Sequence, residues 1–316
     1  MLDAYGRNIT YLRLSVTDRC NLRCRYCMPE EGIVKKAHSD MMTEDEMIQA
    51  VEAAAELGVT KLRVTGGEPL IKRNILSICR RAAEISGIRE VCITTNGVLL
   101  PSLAAALWEA GVSRINLSLD TLDAARYRQI TRIGELSQAL AGLEAALKTG
   151  FSRIKINAVL IGGFNDDEIP ALAGLTRQYP VDVRFIELMP MPGGAFTDAD
   201  SYLPVSEVLR RLPELKEEKA EGVARLYRLP GAQGCVGLIS PVSQHFCAAC
   251  NRIRLTADGR LKPCLHSAEE ISLKGLDKAG MKKKMREAIL GKPRCHEELS
   301  AERLSHSARN MNQIGG

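Results

Sequence analysis

The sequence predicts an α/β fold, a partial (β/α)6 TIM-like barrel with a small C-terminal α+β region. Strand-like and helix-like segments alternate, every other position within the strands is polar, and the texture of the chain changes after Leu215. The apolar runs cover residues 11–16, 59–65, 90–95, 113–120, 153–160 and 181–188. Amphipathic stretches at 44–57, 75–85, 103–110, 137–148 and 168–178 separate them, and Gly58, Gly87, Gly111 and Gly150 sit where helix C-termini favour glycine. Strands followed by helices imply a parallel sheet with helices outside it.

Strands covered on both faces are expected to be apolar throughout. Here Arg13 and Ser15, Lys61, Arg63 and Thr65, Thr94 and Asn96, Asn116, Ser118 and Asp120, Lys155 and Asn157, and Asp182 and Arg184 recur at spacing two. Each set therefore shares one face. Leu12, Leu14, Leu62, Val64, Leu117, Leu119, Ile154 and Ile156 occupy the other, fit to pack under helices. A curved sheet with a polar concave interior follows, with the active site expected at its strand ends.

After Leu215 the charged segment Lys216-Glu217-Glu218-Lys219 leads into short strands at 223–229, 235–240, 252–256 and 260–263, with Asp258-Gly259 as a hairpin signal. A basic helix around Lys282-Lys283-Lys284 reads as a solvated face. Two regions are expected, residues 1–215 and 216–316. The closing Gly315-Gly316 alone would read as a frayed end.

With 43 basic and 38 acidic residues the net charge of +5 is mild and calls for no nucleic-acid partner. The opening residues Met1 to Arg7 hold an early acid and no apolar run, and no span of about 20 apolar residues occurs. A cytoplasmic protein with no membrane partner is the expectation. Ten cysteines then read as metal ligands or reactive thiols before disulfides. Six of them form two trios, Cys20-x3-Cys24-x2-Cys27 and Cys247-x2-Cys250-x13-Cys264, each one thiolate short of a four-ligand site. Cys79, Cys92, Cys235 and Cys295 are expected to be small buried hydrophobes.

Zinc is the competing reading of both trios, completed in the first by a distant histidine and in the second by His245 or His266. A zinc-dependent nucleic-acid binder would want exposed basic stripes with interleaved aromatics, whereas the chain is 4% aromatic. Its arginines fall instead at strand-interior positions. Arg252 and Arg254 follow Cys250 at strand spacing and join Arg13, Lys61, Arg63, Lys155 and Arg184 in a cationic lining. Burying such groups unpaired costs several kcal/mol each, so a polyanionic ligand is expected.

The first trio, followed by Gly66-Gly67-Glu68-Pro69 after the second strand, resembles the radical S-adenosylmethionine enzymes. The resemblance implies a [4Fe-4S] cluster on Cys20, Cys24 and Cys27 whose free iron is chelated by S-adenosylmethionine, with Tyr26, Gly67, Glu68, Ser118 and Met189 in contact with that cofactor. The glycines are expected to let the backbone approach its methionine moiety. A peptide-modifying enzyme with an auxiliary cluster would share these features.

Taken nearly end to end, the chain resembles the GTP 3′,8-cyclases of molybdenum cofactor biosynthesis. The residues that carry this are Leu12 to Asn21, Arg184-Phe185-Ile186-Glu187, Phe246-Cys247 through Arg254-Leu255, and Asn310-Met311-Asn312 ahead of Ile314-Gly315-Gly316. The resemblance implies a second [4Fe-4S] cluster on Cys247, Cys250 and Cys264 whose open iron meets the guanine of GTP. It places Arg13, Arg63, Thr94, Lys155 and Arg252-Ile253-Arg254 against the nucleotide, with Lys61 and Arg184 in the same wall. Arg252, Arg254 and the Gly315-Gly316 tail are implied to take part in the reaction. The implied product is (8S)-3′,8-cyclo-7,8-dihydroguanosine 5′-triphosphate. A homodimer, an external electron donor and a downstream enzyme that forms the cyclic pyranopterin complete the expectation.

Overall fold

The computed structural model describes residues 1–34, 36–196, 201–300 and 303–315. Six parallel strands form its centre in sequence order: β1 (Tyr11–Ser15), β2 (Lys61–Thr65), β3 (Glu90–Thr95), β4 (Val112–Ser118), β5 (Arg153–Leu160) and β6 (Val181–Glu187). The helices between them include α1 (Glu44–Glu56), α2 (Ile75–Glu84), α3 (Leu100–Glu109), α4 (Ala124–Thr131), α5 (Leu136–Lys148) and α6 (Ile169–Gln178). Thr43 and Glu46 start α1 with a reciprocal capping box. The leucines, valines and isoleucines expected under the helices are buried in one continuous core. Short helices escaped the sequence reading, among them α4 and α7 (Ser206–Arg211), because eight and six residues give little periodicity to detect.

The C-terminal strands are β7 (Lys216–Glu221), β8 (Ala224–Arg228), β9 (Val236–Ile239), β10 (Arg252–Leu255), β11 (Arg260–Lys262) and β12 (Ile271–Ser272). They extend the central sheet on both sides, giving the order β12-β11-β10-β1-β2-β3-β4-β5-β6-β9-β8-β7. β10 runs parallel to β1, and β9 runs parallel to β6. The two outermost strands remain unpaired with each other, so the barrel is open. Covering the bare edges of a six-stranded sheet satisfies backbone groups that would otherwise invite pairing with another chain. The charged segment 216–219, expected only to lead into a strand, belongs to β7, where an exposed edge tolerates charge.

After β12 come α8 (Lys278–Leu290) and α9 (Met311–Ile314). In α8 the basic run lies at the surface as expected, with Lys282 paired to Glu56 of α1 and Met281 and Met285 buried beneath it. No helix among the described residues is long and apolar enough to cross a membrane.

Register confirms a polar inner face. Arg13 lies opposite both Arg63 and Arg254, and Asn116, Lys155 and Asp182 follow one another across neighbouring strands. Cys92 stands opposite Arg63 and therefore also faces inward. It is buried as expected, and its thiol donates to Glu90 at 2.8 Å. Cys295 is exposed, a correction, because it sits on the irregular segment after α8 and not on a strand or helix. Cys79 and Cys235 are buried as expected.

Candidate active site

The first trio lies in the loop leaving β1, and the Gly66-Gly67-Glu68-Pro69 turn holds that loop in place. Gly67 N–H donates to the Thr17 carbonyl at 2.7 Å and Glu68 N–H to the Arg19 carbonyl at 2.8 Å. A Cβ at Gly67 would stand 2.1 Å from Arg19 O, and one at Gly66 would stand 2.4 Å from Thr17 O. The close approach that demands glycine here is thus between two loops of the protein, in addition to any approach to a ligand. Replacing Gly67 by Ala is expected to displace residues 17–19, lower metal incorporation at the first trio and cost about 1–3 kcal/mol. Iron analysis and thermal unfolding of the variant check this.

Glu68 braces the same loop. Its carboxylate accepts from Leu70 N–H, the Thr95 hydroxyl and Asn96 N–H, and burial raises its pKa to about 7. Asn96 in turn donates to Asn21 at 2.8 Å, beside Cys20.

Cys20, Cys24 and Cys27 are free, half-buried thiols. Burial pushes Cys20 up to about 11, and burial together with Cys20 pushes Cys27 up to about 12. Cys24 rises well above the ordinary thiol range through burial and its neighbour Cys27. Three thiols that oppose one another's ionisation in a shielded pocket are suited to a cationic centre, which would hold all three as thiolates. The donor set therefore fits the iron–sulfur cluster that the spacing implies.

Around the trio lies a cavity lined by Tyr26, Gly67, Glu68, Ser118 and Met189, so the structure gathers all five residues assigned to the cofactor. Asp120, which the sequence reading left among the polar-face positions, joins them. It accepts from Tyr26 Oη and from Val159 N–H, both at 2.8 Å, and burial raises its pKa to about 6. Its signal was its place two residues beyond Ser118 on the inner face.

At the other end, Cys247 and Cys250 bracket a short 3-10 turn before β10, and all three thiols of the second trio are free. The electrostatic setting is opposite to that of the first trio. Burial would raise Cys250, but Lys292 and Arg252 outweigh it and lower its pKa. These cationic surroundings favour the Cys250 thiolate and equally fit a cluster. Arg254 is lowered to about 10 by burial and by Arg252, and Arg13 falls well below its ordinary value through burial and Arg254. Tyr11, unnoticed in the sequence, organises this end. Its ring lies 5.3 Å from Lys61 Nζ and 5.7 and 5.5 Å from the guanidinium carbons of Arg63 and Arg252. Its hydroxyl accepts from Arg63, whose other arm donates to Thr94 at 3.0 Å. Ile253 is 1% exposed and packs in the core, so only its backbone can face the same space as Arg252 and Arg254.

The expectation of an unpaired cationic wall needs correction at three positions. Lys61 pairs with Glu90, and Lys155 and Arg184 reach Glu221 at 3.0 and 3.1 Å. Glu221 enters from the end of β7, the strand the sequence reading did not assign. Burial, then Arg184, lowers Lys155 to about 7, while its cationic neighbours overcome burial and lower Glu221 to about 2. Arg184 Nε, Arg252 Nε and Asn116 Oδ1 are nevertheless buried without a hydrogen-bond partner among the described residues. Such atoms are costly unless a ligand satisfies them.

The C-terminal tail lies between the two trios. Met311 and Asn312 line the first cavity, and Asn312 Nδ2 donates to the Asp18 carbonyl at 2.8 Å. The Gly315 carbonyl accepts from Arg254 at 2.9 Å and from Arg13 at 3.3 Å. Gly315 has φ of +76°, and a Cβ there would lie 2.6 Å from Thr65 Cγ2, so conformation and space both select glycine. Gly316 lies outside the described residues. Arg309, also missed in the sequence, anchors the tail by paired hydrogen bonds to Glu270 (2.6 and 2.7 Å) and to Asp258 (both 3.0 Å).

Comparison with known proteins agrees with this geometry. A family model described as the radical SAM superfamily matches residues 14–176, and one described as Molybdenum Cofactor Synthesis C matches residues 181–298. The chain is 46% identical to a GTP 3′,8-cyclase of Alkaliphilus oremlandii over the full length of both proteins. It is 47% identical to one of Pelotomaculum thermopropionicum, again over all of both chains. Among solved structures, Streptococcus suis SuiB bound to S-adenosylmethionine superposes with a TM-score of 0.64 at 14% identity, covering 84% of this chain and 63% of that one. That likeness shows a shared fold. The full-length relatives decide against the readings as a peptide-modifying enzyme and as a zinc-dependent nucleic-acid binder, and the chain belongs to the GTP 3′,8-cyclase family within the radical SAM superfamily.

Proposed function

We propose that the two trios divide one reaction between them, the radical cyclisation of GTP that begins molybdenum cofactor biosynthesis. The observation that supports this division is the C-terminal tail, whose Met311 and Asn312 line the cavity at the first trio while its Gly315 carbonyl accepts from Arg13 and from Arg254, four residues beyond Cys250. Cys20, Cys24 and Cys27 hold the first [4Fe-4S] cluster, and Cys247, Cys250 and Cys264 hold the second. When loaded with S-adenosylmethionine, the first cluster would supply radical hydrogen-abstraction chemistry toward the ribose 3′ position, and a further electron and proton, drawn from the external donor and solvent, would balance closure of the sugar carbon on guanine C8.

This chain's residues orient the partners. Tyr26, Gly67, Glu68, Ser118 and Met189 seat the cofactor, with Asp120 fixing the Tyr26 hydroxyl. Arg13, Arg63, Thr94 and the Arg252-Ile253-Arg254 segment face the nucleotide. Lys61, Lys155 and Arg184 contribute once the triphosphate competes with Glu90 and Glu221 for them. Arginine stays protonated and donates in a fixed fork, which suits phosphate and developing charge. Arg252, Arg254 and the Gly315-Gly316 tail act at the reacting nucleotide. Residues 1–215 form the cofactor-cleaving half and 216–316 the nucleotide-holding half. The chain works in the cytoplasm as a homodimer, draws electrons from an external donor and passes its product to an enzyme that forms the cyclic pyranopterin.

Anaerobic turnover with S-adenosylmethionine, a reductant and GTP, followed by chromatographic separation and fragmentation mass analysis, tests the reading. The expected product is isobaric with GTP and carries the new 3′,8 bond; its absence alongside vigorous cofactor cleavage would overturn the substrate. Replacing Arg252 or Arg254 by Ala is expected to lower cyclisation by roughly 10²-fold while uncoupled formation of 5′-deoxyadenosine persists. Unchanged cyclisation in both variants would remove them from the site.

A further inference from the structure

We infer that the chain, while its second cluster is absent, captures one divalent cation of the zinc type between His245, Cys247 and His296. The ligand atoms of these three residues all lie within 4.8 Å of one another, the one His/Cys/carboxylate group so arranged among the described residues. His245 Nδ1 and His296 Nε2 are 3.1 Å apart. Two nitrogens on one tetrahedral zinc, at bonds of about 2.0–2.1 Å, stand about 3.4 Å apart, so a small adjustment admits the ion.

The protonation pattern also suits a metal. His296 Nδ1 lies 2.7 Å from the Glu297 carbonyl, which fixes the proton on Nδ1 and leaves the Nε2 lone pair directed at His245. Without metal, His245 Nδ1–H donates to that lone pair. On binding, the cation takes the bridging position, the His245 ring carries its proton on Nε2, and the Cys247 thiol releases its proton to solvent. Two imidazoles and one thiolate form a borderline donor set that zinc accepts readily. His266, a histidine the sequence offered as a fourth ligand, lies beside the group with its ring 4.6 Å from that of His296, and its Nδ1 stands 3.0 Å from Ser305 Oγ.

Arg7 builds the site from behind. One of its terminal nitrogens donates to the carbonyls of Cys247 and Arg294, both at 3.0 Å, and the other to Pro293 at 2.7 Å. The two chain segments that deliver Cys247 and His296 are thereby fastened together. Because Cys247 cannot serve both centres, a captured ion excludes the second cluster and leaves the first free to form. This exclusion rests on assigning Cys247 to the second cluster; the capture itself does not.

The test uses the full chain, purified anaerobically, stripped of iron and sulfide, and titrated with Co2+ and then Zn2+. One Co2+ per chain is expected, with tetrahedral ligand-field bands and charge-transfer intensity for a single thiolate. Affinity should fall at least 10-fold in His245→Ala and His296→Ala, and in the corresponding Gln variants that preserve bulk, but hold in Cys264→Ser. A three-thiolate spectrum that survives the histidine changes and disappears in Cys264→Ser would overturn the proposal. Reconstitution separates the two ideas. Metal-free protein should take up about eight irons and zinc-loaded protein about four. Uptake of about four by the metal-free protein would sink the second cluster while leaving the cobalt result standing, and about eight after zinc loading would refute the exclusion.

Discussion

Replacing Cys24 by Ala should abolish cleavage of S-adenosylmethionine, with 5′-deoxyadenosine falling to background, while the second centre and the barrel persist. Burial and its neighbours Cys27 and Asp120 oppose ionisation of Cys24, which stands in the middle of the trio. Removing it leaves two donors where a cluster needs three to stay attached. Iron in the reconstituted variant should drop from about eight to about four per chain, because Cys247, Cys250 and Cys264 are untouched. Far-UV circular dichroism should be unchanged, since the loop is held by Gly67 and Glu68 backbone bonds that the substitution leaves alone. Sustained 5′-deoxyadenosine formation in this variant would refute the assignment of the first trio.

Replacing Arg309 by Leu should detach the C-terminal tail and stop cyclisation while cofactor cleavage continues. The Arg309 guanidinium is 14% exposed and makes four hydrogen bonds, to Asp258 and to Glu270. Its loss leaves two largely buried carboxylates with Lys36, Thr256 and Lys262 as remaining partners, at a cost of about 3 kcal/mol. Lysine at this position should rescue poorly, because a single ammonium cannot match two paired carboxylates. Faster amide exchange at residues 310–315 would report detachment directly, and unaltered exchange would count against the anchor. Acid should act in the same direction. Burial raises the Asp258 carboxyl, but hydrogen bonds from Arg309, Lys36 and Thr256 outweigh it and hold it far below the usual range. A depressed carboxylate pKa contributes stability above its unfolded value near about 4, and loses it as pH falls further. The tail should therefore stay attached from neutral pH to about 5 and loosen only below about 4.

Strand periodicity made the inner and outer faces of the barrel readable, since Arg13, Arg63, Lys155 and Arg184 all face inward as their spacing required. The same reasoning stopped short at Cys92, which lies two residues before Thr94 and so shares the inner face opposite Arg63, buried as expected. It failed for β7, because a run of exposed charge carries no hydrophobic signal even when its backbone pairs.

By itself the sequence determined the chemistry available: two thiol trios at fixed spacing, a glycine turn that admits no side chain, and a polar face along six strands. Those features are local, written in spacings of a few residues. Tertiary structure decided which charges remain for a ligand and where the tail lies. Glu221 neutralises Lys155 across 66 residues of chain and Arg184 across 37, while Arg254 meets the Gly315 carbonyl across 61. Electrostatic energy depends on distance through space and on burial, and neither quantity exists until the sheet has curved and both of its edges have been covered.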